Sequence, residues 1–79
     1  METTRYYDEL VKRKRPNIKD EWVERVVASP YRTEVQDDGR IRYYGYIVEE
    51  EKWLRVIVED GKLLNRFFDH HKLREWGRP

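Results

Sequence analysis

Arg42, Tyr44, Tyr46, Trp53, Arg55, Arg66 and Phe68 recur at alternating positions along three strand-like segments. This set of cations and aromatics is the chain's clearest chemical signal. If Asp38-Gly39 and Asp60-Gly61 form two-residue hairpin loops and a tight turn is centred on residues 50 and 51, Val35 pairs with Arg42 and Tyr46 with Arg55. The same register pairs Trp53 with Phe68 and sets Arg55 directly opposite Arg66. Like charges across a strand pair cost stability, so the pair points to an anion or an acidic partner that uses it. Tyr46 and Trp53 flank it and can stack on bases or on guanidinium planes. The plainer alternative is that long arginine stems cover aromatic surface while their heads stay solvated.

A second signal is the run Lys12-Arg13-Lys14-Arg15. It can grip phosphates through counterion release, or simply complement the negative end of a helix. Residues 5–19 hold six Lys and Arg against two acids, whereas acids gather at Asp37-Asp38 and Glu49-Glu50-Glu51. Such local polarity is what a nucleic-acid site needs. Asp69-His70-His71-Lys72 offers His70 or His71 as a general acid or base, against the plainer reading of two surface histidines. A metal site completed by Asp69 or Glu75 is disfavoured: neighbouring histidines in extended backbone do not converge on one ion, and no spaced ligand motif supports them. No metal and no cofactor are expected. The glycines form no phosphate loop, and Gly45 reads as a bulge or as a packing point beneath a helix residue such as Trp22.

These residues must be positioned by one small domain, residues 1–79. Charged residues make up 42%, against about a quarter in a typical soluble protein, yet they nearly cancel to +1. Aromatic residues, at 14%, supply large pieces for a small core. There is no cysteine, so disulfide frameworks and thiolate metal sites are excluded. No apolar run approaches the ~20 residues of a membrane span, and the first residues lack the apolar stretch of a signal peptide. A cytoplasmic chain with no membrane partner is expected.

Residues 3–29 read as a helical hairpin. Thr3 or Thr4 caps a first helix with Tyr6, Tyr7, Leu10, Val11 and Lys14 at helical spacing, and Arg15-Pro16-Asn17 stops it. Ile18, Trp22, Val23, Val26 and Val27 form the stripe of a second helix over 19–29, ended by Ser29-Pro30. Residues 31–68 read as four strands of an antiparallel meander, and the tail 69–79 as a short helix with Leu73 and Trp76 three apart. The predicted fold is α+β, ααββββ, with the helical hairpin on one face of the sheet. The predicted core face holds Ile41, Tyr43, Ile47, Leu54, Val56, Val58, Leu63, Asn65 and Phe67, covered by Leu10, Val11, Trp22, Val23, Val26 and Val27.

The run from Arg15-Pro16-Asn17-Ile18-Lys19-Asp20-Glu21-Trp22 to Ser29-Pro30, then Asp38-Gly39-Arg40-Ile41-Arg42-Tyr43-Tyr44-Gly45-Tyr46-Ile47, Leu54 to Gly61 and Phe67-Phe68-Asp69, resembles a group of small uncharacterised bacterial proteins of the cyanobacterial type. More distantly the layout resembles the RelE/ParE/BrnT-like toxin superfamily, in which a helical pair precedes an antiparallel sheet. The resemblance implies metal-independent cleavage of mRNA from the sheet face away from the helices. Arg55 and Arg66 would then hold the scissile phosphate and Tyr46 or His70 would move the proton. Lys12, Arg13, Lys14, Arg15, Arg42, Tyr44 and Trp53 would bind the RNA. It also implies a cognate antitoxin as protein partner. Two departures stand out: relatives begin with a strand before the helices and are clearly basic. The function expected is therefore an RNA-binding or mRNA-cleaving toxin-like protein. The alternative is a non-catalytic interaction domain, or a homodimer, that uses the same Arg/aromatic face.

Overall fold

The computed structural model describes residues 1–79. Its elements are a first helix α1 (π-helical over Tyr7–Val11, then α-helical over Lys12–Lys14), α2 (Asp20–Ala28), β1 (Arg32–Val35), β2 (Ile41–Ile47), β3 (Lys52–Glu59), β4 (Lys62–Phe68) and α3 (His70–Trp76). The strands form one antiparallel sheet in the order β1-β2-β3-β4. The architecture is the predicted α+β meander with a helical pair on one face, here called inner, and a short C-terminal helix.

Helix α1 begins where the Thr4 hydroxyl accepts from the Tyr7 amide at 3.1 Å. Its π turn closes with the Lys12 amide donating to the Tyr7 carbonyl. The wider turn brings positions four apart nearly into line, so Tyr7 and Val11 face the core while Leu10, three residues on from Tyr7, is 45% exposed. This corrects the expectation of a buried Leu10. In α2, Trp22, Val23 and Val26 are buried as the stripe requires. Ahead of the helices, the Leu63 amide donates to the Glu2 carbonyl and Thr3 forms a parallel bridge with Leu63, a minimal strand beside β4.

Each hairpin sets a register. Between β1 and β2 the Gly39 amide donates to the Gln36 carbonyl and the Gln36 amide to the Arg40 carbonyl, with Gly39 at φ +87°. That is a three-residue loop with a glycine bulge, not the predicted two-residue loop. It slips β1 by one position, so Val35 opposes Ile41 rather than Arg42. The turn between β2 and β3 holds two residues more than predicted, both on the β2 side, pairing Ile47 with Lys52 and Tyr46 with Trp53. A slip of two positions leaves the faces of β2 and β3 as predicted. Asp60 and Gly61, at φ +49° and +75°, make the predicted two-residue turn.

The bulge beyond that turn decides the outer layer. Val58 opposes Leu63, but Ile57 opposes Asn65, leaving Leu64 as the extra residue. From there on β4 is inverted relative to expectation. Arg66 and Phe68 oppose Val56 and Leu54 on the inner face, while Asn65 and Phe67 oppose Ile57 and Arg55 on the outer one. Gly45 is a packing point, but beneath Val26 rather than Trp22: a Cβ there would lie 2.6 Å from the Val26 Cγ2.

The inner face and the two helices enclose Tyr7, Val11, Ile18, Trp22, Val23, Val26, Ile47, Leu54, Val56, Val58 and Leu63. The outer face is also covered in part. Asp69 caps α3 by accepting from the His71 amide at 3.1 Å, and Gly77 ends it at φ +68°. Trp76 then lies against Tyr44, Trp53 and Tyr31 at centroid distances of 5.0, 5.1 and 5.4 Å. No helix is long and apolar enough to cross a membrane.

Candidate nucleic-acid interface

The predicted Arg55–Arg66 pair does not exist, because the β4 bulge sends the two side chains to opposite faces. Arg66 is 3% exposed beneath the helices. Its guanidinium donates to the Asp20 carboxylate, to the Tyr7 hydroxyl at 3.1 Å and to the Arg15 carbonyl at 3.4 Å. Burial pushes the Tyr7 phenol up from its ordinary range, and the adjacent Arg66 partly offsets this. Arg55 stays on the outer face but is bound to the buried Asp69 carboxylate and stacked on Tyr44 and Phe67. A cation so engaged holds α3 in place.

Other expected site residues are covered or paired. Tyr44 and Trp53 are 0% and 1% exposed under α3, and the Trp53 indole donates to the Gly77 carbonyl at 2.9 Å. The open aromatic face predicted for them is a second, smaller core. Arg42 lies 3.7 Å from Glu34. Tyr46 stacks edge-on against Trp53 at 5.3 Å, near the Ser29-Pro30 end of α2. Lys12 lies 3.6 Å from Asp8, while Arg13 and Lys14 are exposed. The structure therefore does not bring Arg55, Arg66, Tyr46 and His70 together.

It does bring together a different set. A cleft of about 300 Å³ opens at the end of β4, lined by Arg15, Asn17, Ile18, Lys52, Phe67, Phe68 and His70. Four elements meet there. Pro16 breaks the chain after α1 and turns Arg15 and Asn17 toward the sheet. Lys52 starts β3, Phe67 and Phe68 end β4, and His70 starts α3. Because consecutive strand residues face opposite ways, Phe67 and Phe68 present rings on either side of the β4 edge. The Arg15 guanidinium lies over Phe67 at 5.6 Å and the Lys52 ammonium over Phe68 at 5.2 Å. Phe68 also touches Trp22, itself capped by Lys19 at 5.5 Å.

No carboxylate lines this cleft, and neither Arg15 nor Lys52 forms an ion pair. The acids lie elsewhere. A cleft of about 500 Å³ at the β1–β2 hairpin, across the sheet and at its other end, is lined by Glu34, Val35, Gln36, Asp37, Asp38 and Arg42. An overall charge of +1 thus conceals one cationic and one acidic corner. The sequence reading contained Arg15 and His70 and set Phe68 on the Arg/aromatic face, but it missed Asn17 and Lys52 and assigned Phe67 to the core. Lys52 sits within an acidic turn sequence, and the place of Phe67 and Phe68 follows from a bulge that no residue type announces.

No three His, Asp or Glu side chains gather where they could hold a metal ion. The fold and cleft define a small α+β protein with a cationic, aromatic-floored groove at a sheet edge. The chain matches no family model, no curated protein and no solved structure.

Proposed function

We propose that this chain binds single-stranded RNA in the cleft between the α1–α2 link, β3, β4 and α3. The observation that carries this reading is the carboxylate-free lining, with two unpaired cations above two phenylalanine rings. Such a groove suits a flexible strand: Arg15 and Lys52 meet phosphates, and Phe67 and Phe68 offer surfaces on which unpaired bases stack.

Cleavage is a separate step. His70 is the one imidazole at the cleft, beside two cations able to oppose charge developing on a phosphate. It is the residue to which proton transfer is assigned in this reading. A cognate antitoxin would be the protein partner of such a toxin.

Fluorescence anisotropy with a labelled single-stranded RNA, repeated over a salt series, tests the reading. Binding is expected to weaken steeply with salt. The pair Arg15→Ala and Lys52→Ala is expected to weaken it at least about tenfold with the melting temperature little changed. Binding that ignores both salt and these substitutions would overturn the proposal. Intact RNA after incubation, the same with wild type and with His70→Ala, would leave binding without chemistry.

A further inference from the structure

We infer that β1 is a self-complementary edge at which two copies of this chain pair into one continuous eight-stranded sheet. β1 is hydrogen-bonded on one side only, to β2. The Gln36 amide donates to the Arg40 carbonyl at 2.7 Å, so Gln36 points toward β2. Antiparallel ladders alternate, so Glu34 and Arg32 point the same way, while the backbone groups of Thr33 and Val35 point outward. A second copy can therefore pair only in registers that oppose odd-numbered residues with one another.

Charge selects among these registers. Centred on Thr33, a two-fold pairing sets Arg32 of each copy opposite Glu34 of the other, twice, with the two threonines meeting on the axis. Opposite charges and paired threonines are both favourable across strands. Slipping the register by two positions either way puts Glu34 against Glu34 or Arg32 against Arg32. Arg32 has no carboxylate partner within its own chain and rests on Trp76 at 5.0 Å, so its charge is free for this pairing, whereas Glu34 lies 3.7 Å from Arg42 and would share its carboxylate between Arg42 and the second copy's Arg32. Val35, the most exposed large apolar side chain at 76%, lies on this edge. Edge strands are commonly protected by charges that repel in every register; here the alternating signs attract in one of them. An isologous two-fold contact of this kind closes at the dimer.

Sedimentation velocity of the full chain over a concentration series reads the result. The strand is short, so the contact belongs to the small interface class, under about 1,200 Å², and dimer is expected to appear at concentrations on the order of 0.1–1 mM. Arg32→Glu and Glu34→Arg each create like-charge pairs across the axis, and each variant is expected to remain monomeric. Mixed in equal amounts, the two variants regain both attractive pairs and are expected to dimerise. Thr33→Pro removes an outward amide that β2 does not use, and is expected to block pairing with the β2 ladder retained. A wild-type chain that stays monomeric throughout overturns the inference. So does a dimer that survives in both single charge variants, or a mixture of the two that stays monomeric.

Discussion

Arg66 reaches from the inner face of β4 to the Asp20 carboxylate at the start of α2, and so ties the sheet to the helical layer through a buried cation. The guanidinium is enclosed, whereas the Asp20 side chain is 70% exposed. Tyr7 and the Arg15 carbonyl complete its coordination, and its Nε has no partner. One side chain therefore links β4, α1, the α1–α2 link and α2. It also fixes the backbone at Arg15, whose side chain lines the cationic cleft.

Removing either end of this tie should destabilise the fold unequally. Asp20→Ala leaves the guanidinium with its neutral partners and is expected to cost about 1–2 kcal/mol, the pair being open to water on the Asp20 side. Arg66→Ala also empties a packed site and is expected to cost about 2–4 kcal/mol. Arg66→Met, which refills most of the volume without a charge, should cost less than Arg66→Ala. Urea unfolding of the three variants checks the order. An alanine variant at Arg66 as stable as wild type would contradict the buried placement.

Gly45 and Val26 should behave as a coupled pair. The added methyl of Gly45→Ala would lie 2.6 Å from the Val26 Cγ2, so helix α2 must shift, at an expected cost of about 1–3 kcal/mol. Val26→Ala removes the obstructing methyls at the expense of a partial cavity. The double variant is expected to be more stable than the sum of the two single effects predicts, by about 0.5 kcal/mol or more. Thermal or urea unfolding of the four-member cycle gives the coupling directly.

Helix α3 hangs on Asp69 and Trp53. Asp69 caps the helix and holds Arg55, and the Trp53 indole fixes the Gly77 carbonyl. Asp69→Ala is expected to cost about 2–3 kcal/mol through loss of the cap and stranding of Arg55. Hydrogen exchange should rise first in the α3 amides, with those of β3 still protected. Equal protection of α3 in wild type and variant would show that the cap does not anchor it.

The acid limb of the stability curve should contain the Glu49–Arg25 pair. Two guanidinium–carboxylate bonds of 2.9 and 2.8 Å hold the Glu49 carboxyl down to about 2, from an ordinary value of 4.5. A carboxyl depressed in the folded state stabilises it fully above its unfolded value. That contribution fades as pH falls from about 4.5 toward about 2. Both groups are solvent-exposed, so the effect should be modest and should shrink with added salt. Glu49→Gln is expected to flatten this part of the curve, measured as urea midpoints between those pH values, and to leave its neutral part nearly unchanged.

Much of the fold is legible along the chain because it rests on local signals. The stripe from Trp22 to Val26, Pro16 and Pro30 as stops, and Asp60-Gly61 as a turn each act over a few residues. The candidate site is less legible. Arg15 and His70 stand out by type, but the cleft joins three segments far apart in sequence, Arg15, Lys52 and the run from Phe67 to His70. An Asp-Gly pair serves a two-residue turn at 60–61 and part of a three-residue loop at 37–39, and the difference moves β1 by one register.

The sequence by itself determined the element order, the inner faces of β2 and β3, and the stripe of α2, since periodicity and turn chemistry are properties of neighbouring residues. Tertiary structure alone decided which arginine lies beneath the helices and which stays on the outer face. One extra residue at Leu64 inverts the rest of β4, so Arg66 lies under the helices and Phe67 outside them. It also decided that Trp76 closes over Tyr44 and Trp53, turning an apparent binding face into a second core. The physical reason is the same in both cases. A strand has a period of two, so a single unpaired residue reverses every later side chain, and the energy that selects the bulge comes from packing across the whole molecule rather than from the strand itself.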